Sequence, residues 1–92
     1  MIKIEVKILS YKTPQRYAVR RAVIAAQAVM SQDYPDLLVK IGEVRERSEM
    51  EKITPVVLYP SLMVNDRLVC VGRFPKKNEI LAWFQQALQE EA

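Results

Sequence analysis

Three observations predict an α/β domain with a four-stranded mixed sheet. The chain opens with alternating apolar and charged residues, carries two long helical patterns, and has a hairpin signal at Asn65-Asp66. The predicted order of elements is β-α-β-(α)-β-β-α. With 92 residues and neither internal repeats nor a linker, the chain reads as one domain, 1–92. A chain of that length buries about 60–65% of its unfolded surface, enough for one modest core.

Residues 2–9 place Ile2, Ile4, Val6 and Ile8 on one face and Lys3, Glu5 and Lys7 on the other, the period of two of a strand. Thr13 is a good N-cap and Pro14 suits the first helical position. The alanine-rich stretch from Gln15 to about Ser31 has high helix propensity. Its apolar face is expected to run through Val19, Ala22, Val23, Ala26, Val29 and Met30, with Arg16, Arg20 and Gln27 on another side. Residues 32–36 form a turn cluster, and Leu37 to Ile41 form a second strand. Strand, helix and strand in that order imply a crossover and parallel pairing.

Residues 43–52 are charged, with little apolar support, and read as a short exposed helix ending before Thr54-Pro55. Ser61–Val64 and Arg67–Val71 flank Asn65-Asp66, residues that tolerate the positive φ angles of a tight turn, so this segment reads as a β-hairpin. Residues 76–90 close the chain as a helix. Its buried stripe is Ile80, Leu81, Trp83, Phe84, Ala87 and Leu88.

Composition excludes much chemistry. The absence of histidine removes the commonest general base, the Ser-His and Cys-His pairs and most zinc sites. One cysteine, Cys70, supplies neither a zinc tetrahedron nor an internal disulfide. Two glycines, Gly42 and Gly72, make neither a P-loop nor a dinucleotide fingerprint. No catalytic residue, metal or cofactor is therefore expected. No run approaches the ~18–20 apolar residues that cross a bilayer, and the start lacks the pattern of a signal peptide. The expectation is a cytoplasmic protein without membrane association.

The formal net charge is +3, and the first forty residues hold seven Lys/Arg against three Asp/Glu. No RNA-binding aromatic motif or recognition-helix pattern accompanies that excess, so nucleic acid is not an expected partner. Lys12, Arg16, Arg20 and Arg21 do gather near a helix start. Free N–H groups there favour a phosphate or carboxylate.

The segment Tyr59-Pro60-Ser61-Leu62-Met63-Val64-Asn65-Asp66-Arg67-Leu68-Val69, continued by Gly72-Arg73-Phe74-Pro75-Lys76-Lys77-Asn78-Glu79-Ile80, resembles the C-terminal half of small glutaredoxin-like and thioredoxin-like redox proteins. Those read Thr-Pro-Ala-Leu-Val-Ile-Asn-Gly-Lys-Val-Val and Gly-Arg-Val-Pro-Ser-Lys-Glu-Glu-Ile. The first strand and helix start align too, so only residues 43–56 fall outside the resemblance. It implies a thioredoxin-like fold.

In that family the first strand delivers a Cys-Pro-x-Cys motif to the helix N-terminus, where the dipole and free N–H groups stabilise a thiolate. Here the motif reads Thr13-Pro14-Gln15-Arg16. A threonine hydroxyl, with its high pKa and no base, cannot replace dithiol exchange. Pro60 matches the family's cis-proline, which leaves the preceding backbone free to pair with an extended partner, and Tyr59 replaces a smaller residue.

The resulting expectation is a domain without dithiol activity that binds a protein or a small anionic ligand through Lys12, Thr13, Pro14, Arg16, Arg20, Tyr59 and Pro60. The alternative is a redox protein working through Cys70, which shares the parity of Leu68 and on that basis is expected to be buried. A homodimer through the strand Arg67–Val71, read as a sheet edge, is a further expectation.

Overall fold

The computed structural model describes residues 2–53 and 58–91. Its elements are β1 (Ile2–Leu9), α1 (Thr13–Asp33), β2 (Leu37–Val44), α2 (Arg47–Ile53), β3 (Ser61–Val64), β4 (Arg67–Val71) and α3 (Lys77–Glu91). The sheet order is β2-β1-β3-β4. Strand β1 pairs parallel with β2 from Ile2↔Leu37 to Leu9↔Val44, and antiparallel with β3 from Val6↔Val64 to Leu9↔Ser61. The expected mixed sheet and element order are both present. The stop expected at Thr54-Pro55 lies outside the described residues.

One face of the sheet carries α1 and α3 over the main core. Ile4, Val6 and Ile8 of β1 meet Val19, Val23, Ala26 and Met30 of α1, with Ile80, Phe84 and Ala87 of α3. Leu81, Trp83 and Leu88 are only partly buried around that core. Val29, expected inside, is 39% exposed. The opposite face holds a smaller cluster in which Leu9, Met50 and Met63 are buried, with Val44, Ile53, Tyr59 and Leu68 against it. The short exposed helix expected in that stretch is α2, but the buried Met50 gives it the apolar anchor that its charged sequence was not expected to supply.

The hairpin turn has Asn65 at φ 49 and Asp66 at φ 64, the left-handed pair that its composition predicts. Asn65 also ties the turn to β1: its N–H donates to the Glu5 carbonyl at 2.8 Å, and its Oδ1 accepts from the Glu5 N–H at 2.9 Å. The β3–β4 register shifts between Leu62↔Cys70 and Met63↔Leu68, leaving Val69 as an extra residue. This bulge places Leu68 in the cluster under α2 and Cys70 in the main core. Cys70 is buried, but not on the face that parity with Leu68 implies.

Candidate functional site

Three loops converge at one end of the sheet. The β1–α1 loop brings Tyr11 against Tyr59, with ring centroids 5.5 Å apart in an edge-to-face arrangement. The Tyr59–Pro60 peptide is cis. The third loop follows β4: the Gly72 N–H donates to the Pro60 carbonyl at 2.9 Å, and Gly72 takes φ +70 with Leu58 packed over it. A Cβ at Gly72 would lie 3.1 Å from the Leu58 Cβ, so glycine serves both the backbone angle and the close approach. Tyr11, Leu58 and Phe74 are exposed on these loops. Tyr59 is half-buried, and its hydroxyl is enclosed without a hydrogen-bond partner among the described residues.

The start of α1 is built differently from its sequence signal. Lys12, not Thr13, is the N-cap, with φ −100 and ψ 121, and no side chain caps the helix. The loop is held instead by Ser10, fully buried, whose Oγ accepts from the Lys12 N–H at 3.1 Å and donates to Gln15 Oε1 at 2.6 Å. Thr13 lies one residue inside the helix and uses its hydroxyl to accept from Arg16 Nη2 at 2.9 Å. Lys12, Thr13 and Pro14 are exposed.

Arg16, expected off the apolar face of α1 and among the binding residues, is buried. It belongs to the inward stripe Arg16–Val19–Val23, spaced by three and four residues. Its Nη1 donates to the Ser10 carbonyl at 2.9 Å, its Nη2 to Thr13, and its Nε to Glu43 Oε1 at 3.1 Å. The second Glu43 oxygen accepts from Arg20 Nε, also at 3.1 Å. Glu43 continues the inward parity of Leu37, Val39 and Ile41 on β2, so a carboxylate at the strand end faces guanidinium groups at the helix start. The side chain of Arg16 is 8% exposed and that of Glu43 19%.

Ser10, Gln15 and Glu43 are therefore structural partners of the site that were not among the expected residues. Glu43 was legible in the alternation of β2, and Ser10 as a hydroxyl two residues before a helix cap. The basic cluster is thereby partly consumed within the fold: Arg16 and Arg20 share one internal carboxylate. Arg21 instead lies over the Tyr17 ring, 5.8 Å from its centroid.

Cys70 stands apart from this end of α1. It is 2% exposed, and its Sγ donates to the Arg73 carbonyl at 3.3 Å. Burial pushes its thiol pKa up; the Arg73 charge opposes this without reversing it. Arg73 itself is engaged with Glu79 through two bonds of 2.8 and 2.6 Å. Those bonds and the Lys76 N–H hold the Glu79 carboxyl down to about 2. Among the described residues, no group of His, Cys, Asp and Glu could hold a metal ion, and no helix is long and apolar enough to cross a membrane.

A parallel strand–helix–strand unit continued by an antiparallel hairpin and a closing helix defines a thioredoxin-like fold. The chain belongs to the thioredoxin domain family, which matches residues 4–85. No curated protein and no solved structure gives a significant match.

Proposed function

We propose that this thioredoxin-like domain has exchanged dithiol chemistry for binding, and engages an extended protein segment through Lys12, Thr13, Pro14 and Tyr59; Pro60, also expected in the contact, is buried. The observation that carries this is the placement of Arg16. At Arg16, where the sequence resemblance implies the second sulfur, a guanidinium is held by the Ser10 carbonyl, the Thr13 hydroxyl and Glu43. Those bonds stabilise the helix start in one conformation without a thiolate. They support a rigid platform rather than a reaction centre.

A protein segment fits better than a small anion. Glu43 already fills the carboxylate position between Arg16 and Arg20, so a free phosphate would have to displace an internal ion pair. Tyr11 and Leu58 add exposed apolar surface beside Tyr59. Such surface rewards a peptide side chain more than an ion. Lys12, exposed at the cap, supplies the cation that favours an acidic residue in the partner. The role of Arg16 and Arg20 in this proposal is to position the platform.

The burial and raised pKa of Cys70 weigh against the alternative of single-thiol chemistry. The test is an NMR titration of the ¹⁵N-labelled chain with a pool of extended acidic peptides, their lysine counterparts, and inorganic phosphate. Acidic peptides are expected to shift the amides of Tyr11, Lys12 and Tyr59, with weaker binding in Lys12→Glu. Shifts from phosphate alone, or peptide shifts confined to other surfaces, would overturn the assignment.

A further inference from the structure

The charges of this chain are sorted along the sheet. Leu9, Ser61 and Val71 lie level with one another through the β1–β3 and β3–β4 pairings. Helix α1 follows β1 and α3 follows β4, both on one face, so the two helices run parallel and start at that same end. They also pack against each other, which sets their axes about 8–10 Å apart. Lys12 caps α1, Lys76 immediately precedes α3, and Lys77 opens it. All three are exposed, and none forms an ion pair among the described residues.

The neighbouring cations are already compensated. Arg16 and Arg20 share Glu43, and Arg73 holds Glu79. On the β2 side of the same end, Arg45 and Arg47 alternate with Glu46, Glu49 and Glu51, which leaves little net charge there. Arg21 lies further along α1 and Lys40 in mid-strand on β2. The opposite end of the domain is acidic, with Asp33, Asp36, Asp66 and Glu90 exposed. The uncompensated positive charge beside the β1–α1 loop is therefore that of Lys12, Lys76 and Lys77.

We propose that the segment bound at the Lys12 face is recognised by two carboxylates, one meeting Lys12 and the other Lys76 and Lys77. This rests on the reading of that face as a peptide-binding surface and names the sequence feature it selects. Residues two and four apart share one face of an extended strand, at ~7 and ~13 Å. Those spans bracket the separation of the helix starts, and the flexible lysine stems accommodate either. A lone carboxylate reaches only one of the two charges. Tyr11 and Leu58, exposed at the same end, favour an acidic pair next to an apolar residue over a uniformly charged polymer. Because the lysines are exposed, each ion pair contributes little and is screened by salt. The selectivity is therefore expected to be modest and largest at low ionic strength.

The test is a titration of the ¹⁵N-labelled full chain at low ionic strength with short extended peptides that share one apolar residue and differ only in aspartate. One carries a single aspartate, one a pair four positions apart, and one a pair ten positions apart, which spans ~33 Å. The closer pair is expected to bind about fivefold tighter than the single aspartate and to shift the amides of both Lys12 and Lys77. The distant pair gains only the factor of about two that a second equivalent acid gives by counting. Lys76→Gln combined with Lys77→Gln should bring the two paired peptides to equal affinity, with circular dichroism reporting that the fold is kept. Equal affinities for the two pairs in the unmodified chain, or a preference that survives the lysine substitutions, would overturn the two-carboxylate proposal and leave the peptide-binding reading standing. No shift at Tyr11, Lys12 or Tyr59 with any peptide would overturn both. A single-stranded oligonucleotide that binds through the same amides more tightly than every peptide would overturn the choice of partner.

Discussion

Glu43→Gln is the substitution that most directly probes the helix start. It leaves size and one carbonyl acceptor in place but removes the charge opposite a guanidinium that is almost dry. Removing one partner of a fully buried ion pair costs about 3–5 kcal/mol. Three features of the structure reduce that figure. Glu43 keeps some contact with water, Arg16 retains its bonds to the Ser10 carbonyl and Thr13 hydroxyl, and the glutamine oxygen still accepts. The expected loss is about 2 kcal/mol, or a fall in Tm of roughly 8–16 °C for a chain of this size. Arg16→Met should cost less, about 1 kcal/mol, because Glu43 keeps Arg20 on its other oxygen, although Glu43 Oε1, the Ser10 carbonyl and the Thr13 hydroxyl each lose a donor. Urea unfolding of both single variants and the double variant, followed by circular dichroism and Trp83 fluorescence, gives the coupling directly. A coupling of about 1–2 kcal/mol is expected. A Glu43→Gln loss below about 0.5 kcal/mol, with no coupling, would mean that the guanidinium is solvated and would refute the reasoning.

Met50→Ala, which empties the anchor of α2, should cost about 2–5 kcal/mol by chemical denaturation; a loss under about 1 kcal/mol would make α2 a solvated turn. Asn65→Ala removes the acceptor for the Glu5 N–H and a residue suited to φ 49, so a loss of about 1–3 kcal/mol is expected from the same measurement. Glu79 has its folded pKa lowered to about 2 by Arg73 and the Lys76 N–H. Its contribution is present above the unfolded value of about 4.3 and is lost as pH falls from there towards 2. Acid titration of stability should therefore flatten in Glu79→Gln, and an unchanged slope would contradict the pairing. Cys70 has its pKa raised by burial. Its contribution is full below the unfolded value of about 8.5 and declines as pH rises towards the folded one. Alkylation of the folded chain near neutral pH should thus be far slower than that of the denatured chain, with equal rates arguing for an open thiol.

Much of the fold was legible because period and turn chemistry agree along the chain. The alternation of β1, the left-handed tolerance of Asn65-Asp66 and the stripe of α3 each point to the element that forms. Local signals failed where tertiary partners decide the outcome. Thr13 looks like a cap, but the buried Ser10 hydroxyl organises the preceding turn, and Thr13 is drawn to Arg16. Arg16 looks solvated because it is charged, although its spacing from Val19 and Val23 places it inward and Glu43 compensates it. The bulge at Val69 breaks the parity between Leu68 and Cys70, and nothing in the alternation of β4 announces it. Val29 fits the apolar period of α1, yet the sheet covers too little of the helix to bury it.

The central claim is that this scaffold works without thiol chemistry. Its most direct test is turnover of a mixed disulfide, with glutathione as reductant and a Cys70→Ser variant as control. The account predicts a rate equal to the protein-free background for both chains. Reduction above background in the unmodified chain, abolished by Cys70→Ser, would contradict it.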